Sequence, residues 1–374
     1  MSSNLFRPEQ MWRSRRSALA VSAGAAAIVA APALLGCNAS RSKAQNPAML
    51  SAPLMAIAAP PHPGSETWLN SPPLTVADLR GKVVLVNFWT YSCINSLRPL
   101  PYVRAWAKKY RDRGLVVIGV HAPEFGFEHD VANVRRALAD LGVAYPVVLD
   151  NDFRIWRAFG NSAWPAFYFV GADGRIRRKA LGEGGYEDSE RAIQALLSEA
   201  RKTPVTDPIS PIAGTGWQAS PDWNDERSPE TYVGYAKAVG FEPAGGLKQD
   251  VTALYRAPGR LALNHWSLSG EWNAAGEFTT LVGASGAIAF RFHARDLNLV
   301  LAPPADGHVV RFRVRIDAAA PGADHGFDTD EQGVGRLDTP RLYQLVRQSR
   351  PVADRTFEIE FLDPGAQAFV FTFG

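Results

Sequence analysis

Cysteine is scarce in this sequence. Only Cys37 and Cys93 occur among 374 residues, so a fold stapled by several disulfides is excluded. A charge imbalance is missing too. Forty basic residues face 37 acidic ones, and the net +3 is too small and too evenly spread to argue for nucleic acid. The basic piece Arg175-Ile176-Arg177-Arg178-Lys179 reads as a solvated edge rather than a phosphate track. The histidines show no His-Glu-x-x-His or other paired metal spacing, and there is no glycine-rich nucleotide loop and no Gly-x-Ser-x-Gly elbow. No cofactor and no catalytic metal are therefore expected. Beyond residue 35 no apolar run is long enough to span a bilayer. What remains is ordinary globular composition, 46% apolar and 21% charged, in a length that suits two domains.

The chain is organised around Val83–Arg98, VVLVNFWTYSCINSLR. Val83 to Phe88 is a nearly continuous apolar run, as expected of a strand covered on both faces. A helix comes next over about Ile94–Arg111, with Leu97, Leu100, Val103, Trp106 and Tyr110 at three- and four-residue steps. Pro99 and Pro101 should kink it early. Cys93 then sits at the helix start, where free backbone N–H groups and the dipole favour a thiolate, the reactive form of cysteine.

Residues 1–36 read as a targeting segment. Ser14-Arg15-Arg16-Ser17-Ala18-Leu19 resembles the twin-arginine export signal, and Leu34-Leu35-Gly36-Cys37 resembles a bacterial lipobox in which Cys37 becomes the lipidated first residue. Residues 37–63, rich in Ala, Pro and Ser without periodicity, read as a lipidated tether. The expected location is the bacterial cell envelope, periplasmic or extracytoplasmic, with acyl chains at Cys37 as the membrane contact. One thiol, Cys93, is then left in the folded body, and no internal disulfide can form.

Residues 64–203 alternate strands with helices. Leu115–His121 is the next buried strand, Val131, Val134, Leu138 and Leu141 mark a helix, and Tyr145–Leu149 is a short strand. Asp150–Phe159 suits a helical turn. Ala166–Val170 and Ile176–Leu181 flank the hairpin turn Ala172-Asp173-Gly174, and Asp188–Lys202 is the closing helix. Residues 204–211 carry three prolines and read as a linker. Residues 212–374 change to short alternating segments, among them Ala287–His293, Leu297–Leu301, Val309–Ile316, Thr356–Phe361 and Ala368–Phe373. That texture predicts an all-β sandwich or jelly roll.

Phe88-Trp89-Thr90-Tyr91-Ser92-Cys93-Ile94-Asn95-Ser96 resembles the active-site turn of the thioredoxin superfamily. It is nearest to the DipZ family, in which a membrane electron-transfer domain is fused to an exported thioredoxin-like domain. Leu79-Arg80-Gly81-Lys82 matches the lead into the family's first central strand. Ser228-Pro229-Glu230-Thr231-Tyr232, Phe292-His293-Ala294-Arg295-Asp296 and Arg341-Leu342-Tyr343-Gln344-Leu345 resemble the carbohydrate-binding-module-like domain that comes after it. The resemblance implies a thioredoxin-like α/β domain followed by an all-β domain. It departs from the family at Cys-x-x-Cys, where Ser96 replaces the second cysteine.

A thiolate attacks a disulfide to give a mixed disulfide, which a second cysteine normally resolves. With Ser96 in that place the thiol can still be hydrogen-bonded, while resolution falls to an external thiol or a membrane reductase. Expected partners are exported protein thiols or disulfides. The resemblance places a cis proline at Pro165, facing the cysteine and offering backbone to bound peptide. Trp89 is expected at the rim of the site or in packing. Asn87 stands where thioredoxins carry a buried acid, and Glu124 is the remaining candidate acid. Two rival readings stay open. One is a non-catalytic peptide- or glycan-binding protein, with Trp217, Trp223, Trp266 and Trp272 as sugar-stacking candidates. The other is a one-cysteine peroxidase suggested by Thr90-x-x-Cys93. Asp324–Glu331 gathers oxygen ligands suited to calcium or to solvent.

Overall fold

The computed structural model describes residues 52–58 and 67–374, so the expected export signal and the lipidation expected at Cys37 lie outside the described residues. The first part of the chain holds α1 (Ala52–Ala58), β1 (Trp68–Leu69), α2 (Val76–Leu79), β2 (Val83–Trp89), α3 (Ile94–Leu97), α4 (Leu100–Tyr110), β3 (Leu115–His121) and α5 (Val131–Asp140). It continues with β4 (Val147–Leu149), α6 (Arg154–Ala158), β5 (Ala166–Val170), β6 (Ile176–Leu181) and α7 (Tyr186–Arg201). The six strands form one sheet in the order β1-β4-β3-β2-β5-β6. Strands β2, β3 and β4 run parallel, while β5 lies antiparallel to β2 and β6 antiparallel to β5. This is the thioredoxin-like α/β plan.

All seven residues of β2 are buried, because helices cover both faces of the sheet. Leu85 and Trp89 enter the core beneath α4, and Val84, Val86 and Phe88 the core on the opposite face. The predicted helix break is real. Arg98 and Pro99 separate α3 from α4, since proline supplies no N–H to continue α3.

The tether expectation is overturned over residues 52–58. This stretch is helix α1, and Leu54 and Ile57, three residues apart, are both fully buried in the cluster that holds Ile155 and Trp156 of α6. Burying both side chains stabilises a segment whose alanines suit a helix and whose Pro53 falls in the first turn, where proline is tolerated. Residues 204–211 are likewise pinned. Val205 is buried, Asp207 pairs with Arg113, and the Ser210 N–H and hydroxyl both donate to Glu190 at 2.9 Å.

The second part contains β7 (Thr231–Tyr232), β8 (Thr252–Tyr255), β9 (Trp266–Ala274), β10 (Thr279–Phe292), β11 (Asp296–Ala302), β12 (Val310–Ile316), β13 (Val334–Leu337), β14 (Arg341–Arg347), β15 (Arg355–Phe361) and β16 (Gln367–Phe373). They build one antiparallel ten-stranded network that curls on itself. The 14-residue β10 makes this possible: its register shifts between Leu281 and Gly286, and it pairs with β9, β15 and β16. In β12 the side chains alternate, with Val310, Phe312, Val314 and Ile316 buried and Arg311 and Arg313 exposed.

The two parts share a continuous apolar cluster. Phe125 and Phe127, from the loop after β3, meet Phe369 of β16 edge-on with ring centres 5.1 and 4.9 Å apart. Among the described residues no helix is long and apolar enough to cross a membrane.

Candidate functional site

Cys93 lies just beyond β2 and caps the N-terminus of α3. It is the one free cysteine among the described residues, and its side chain is partly accessible. Strand pairing puts Pro165 at the same end of the sheet. Ala166 lies opposite Phe88, so the preceding residue reaches the turn that carries the cysteine. The Trp164–Pro165 bond is cis, as the resemblance implied. The Pro165 carbonyl accepts from Gly182 N–H at 2.8 Å, and Trp164 Nε1 donates to the Ala122 carbonyl at 3.0 Å. Ser96 is buried beneath the cysteine, and its hydroxyl accepts from Thr90 N–H at 3.4 Å.

The expected easy ionisation of Cys93 is not found. Burial pushes the thiol up, and the carboxyl groups of Glu124 and Glu230 push it further; hydrogen bonding from Ser96 opposes them and loses. The helix dipole is weak here because α3 has four residues.

Of the two places expected for Trp89, the structure shows packing. The side chain is fully buried, in the cluster with Val103, Trp106 and Val117, and its Nε1 has no partner. Below the turn, Tyr91 stacks on His121 with ring centres 5.6 Å apart, and Trp89 meets the same imidazole edge-on. Burial lowers the His121 pKa to about 3, so the ring is neutral. Asn87 is buried in mid-strand, its amide donating to the Phe88 carbonyl at 3.2 Å.

Glu124 stands beside the cysteine in the loop after β3. Burial first, then Glu230, lift its carboxyl to about 8, against a hydrogen bond from the Tyr232 hydroxyl. A more deeply buried carboxyl, Glu128, has no counterpart among the sequence expectations. It accepts the Ser92 N–H at 3.2 Å and the Ser92 hydroxyl at 2.7 Å, and takes the N–H groups of Glu124 and Phe125 on its other oxygen. Its spacing of four residues from Glu124 is visible in the sequence, but nothing local ties it to Ser92, 36 residues away. Glu230 and Tyr232 are visible there only as part of the Ser228–Tyr232 resemblance.

Other candidates fare differently. Trp266 and Trp272 are fully buried core residues and offer no face to a sugar, whereas Trp223 is exposed and Trp217 packs beside the shared cluster. In the 324–331 loop three of the four carboxylates already have partners. Asp324 accepts from Ser349, Asp328 pairs with Arg341, and Asp330 accepts from Gln332 and Val334 N–H groups. Thr90 is fully buried, and Arg98, the next arginine along the chain, is committed to Glu183 at 2.8 Å. Neither is open to a bound peroxide.

Residues 64–197 match the redoxin family, and residues 228–374 match the family described as thioredoxin like C-terminal domain. The chain thus carries a thioredoxin-like redoxin domain followed by a thioredoxin-like C-terminal domain. Protein DipZ of Mycobacterium bovis and of Mycobacterium tuberculosis is each 35% identical over 319 residues, covering 84% of this chain and 43% of that protein. The chain thus spans less than half the length of these curated relatives. The thiol-disulfide oxidoreductase YkuV of Bacillus subtilis is 28% identical over 136 residues, 36% of this chain and 91% of that protein. A solved thioredoxin-like protein in its oxidised form covers 38% of this chain and 95% of its own, at 28% identity and a TM-score of 0.35.

Proposed function

We propose that the protein is a monothiol thiol–disulfide oxidoreductase of the cell envelope, tethered by lipid at Cys37 and acting on exported proteins through Cys93. The observation that carries this reading is the placement of a partly accessible Cys93 and Pro165 at one end of the sheet, with Ser96 buried behind the sulfur. Cys93 is the nucleophile, Ser96 its hydrogen-bond partner, and the backbone about Pro165 the edge that receives the substrate chain. Glu124 takes the thiol proton. The Cys93 sulfur bonds one substrate sulfur, the substrate disulfide breaks, and the other substrate sulfur leaves as a thiol. An external thiol or membrane reductase then releases the product, because Ser96 stands in place of a resolving cysteine and no second cysteine lies near the site among the described residues.

The upward push on the Cys93 thiol favours a second reading, in which the groove grips peptides without chemistry. Trapping separates the two. Cells expressing the full chain are expected to accumulate mixed disulfides visible on non-reducing electrophoresis, and a Cys93→Ala variant is expected to lose them. Absence of adducts under both oxidising and reducing growth would leave the binding reading alone.

A further inference from the structure

The C-terminal sheet reaches the loop that carries Glu124. Tyr232 is held in β7 by pairing with Val370 of β16, and its ring lies against Phe125, with centres 6.4 Å apart. From there its hydroxyl donates to the Glu124 carboxylate, 108 residues away in sequence. Lys237 Nζ caps the other side of the same ring, 4.2 Å from its centre. Glu230, two residues before Tyr232, raises both the Glu124 carboxyl and the Cys93 thiol through its charge. Gly126, in the same loop as Glu124, donates its N–H to Glu277 of the C-terminal part at 3.1 Å. The loop that carries Glu124 is therefore fastened to the second domain at several points.

We propose that Tyr232 is a positioning residue for the Cys93 reaction, holding the Glu124 carboxylate in place as the acceptor of the proton that Cys93 must give up. The inference rests on the exchange reading above. As the Cys93 sulfur bonds to one sulfur of a substrate disulfide, its proton passes to Glu124; the substrate S–S bond breaks, and Glu124 returns the proton to the leaving thiolate. One thiol is consumed and one formed, so no further oxidant or reductant enters. The other groups facing the cluster are Glu128 and Lys237, which act on Glu124, and Ser96, which acts on the sulfur.

The test is the rate of Cys93 alkylation by iodoacetamide between pH 5 and pH 10, in the full chain. It is read at the Cys93 peptide by mass spectrometry so that Cys37 does not contribute. The wild-type profile is expected to show an inflection near pH 8, in addition to the rise of the thiol itself. Tyr232→Phe removes a donor to the carboxylate and should move that inflection up by about one pH unit. Glu230→Gln removes a facing charge and should move it down, with alkylation at pH 7 faster by roughly threefold or more. Glu230 is exposed, so its variant tests the cluster even where Tyr232→Phe fails to fold. Folded variants whose profiles superimpose on the wild type overturn the proposal. Mixed-disulfide formation with oxidised glutathione is followed in parallel. A wild type that shows the inflection but never forms that adduct overturns the exchange reading and leaves the proton cluster supported.

Discussion

Ser92 donates its hydroxyl to Glu128 at 2.7 Å, and the same carboxylate accepts the N–H groups of Glu124 and Phe125. One buried side chain thereby fixes the cysteine turn to the loop that carries the candidate acid. Replacing Glu128 with Ala leaves several buried donors without an acceptor. Loss of about 3 kcal/mol or more is expected in urea denaturation, since each orphaned donor costs roughly 1–3 kcal/mol. A loss under about 1 kcal/mol would mean that water substitutes for the carboxylate without difficulty.

His121 gives the protein an acid-sensitive core. Its folded pKa of about 3 lies below the roughly 6.5 of the unfolded chain. Its contribution is complete above about pH 6.5 and is lost as pH falls toward 3, because unfolding lets the ring take up a proton. His121→Phe should retain more of its stability between pH 7 and pH 4 than the wild type does. Equal losses in the two proteins would remove His121 from the account.

Glu124 acts with the opposite sign. Its carboxyl is raised from 4.5 to about 8, so the folded chain holds the proton more tightly than the unfolded one. The associated stability is present below about pH 4.5 and fades as pH climbs to 8. Glu124→Gln should flatten this part of the curve, as measured by denaturation midpoints at pH 5 and pH 8.

Helix α1 offers a test of packing. Ile57 is fully buried, and Ile57→Ala is expected to cost about 2–4 kcal/mol through lost transfer energy and a residual cavity. An effect near zero would return the segment to the status of a loose tether.

Strands with strong patterns are easy to read. Val83–Phe88, Leu115–His121 and the alternating Val310–Ile316 carry their burial in their own sequence, and all three are strands at nearly the expected bounds. The break at Pro99 is equally local. By contrast, α1 is hidden in the sequence because Ala52–Ala58 is helical only with α6 beneath Leu54 and Ile57. The Cys93 environment differs from expectation for a related reason. The sequence shows a cysteine at a helix start, but the carboxyl groups that oppose ionisation sit 31 and 137 positions further along. Glu128 and Tyr232 are illegible as site residues because their partners are equally remote.

Glu190 illustrates how far the thioredoxin-like part depends on the segment just beyond it. Its carboxylate is buried and accepts from Trp106, Lys109 and Tyr110, yet two further donors are the backbone and hydroxyl of Ser210. Excising residues 64–203 as the thioredoxin-like part would strip those donors away and remove Val205 from the surface of α7. A truncated piece would thus begin life with a partly abandoned anion in its interior, and weak behaviour of such a fragment would reflect the cut rather than the intact protein.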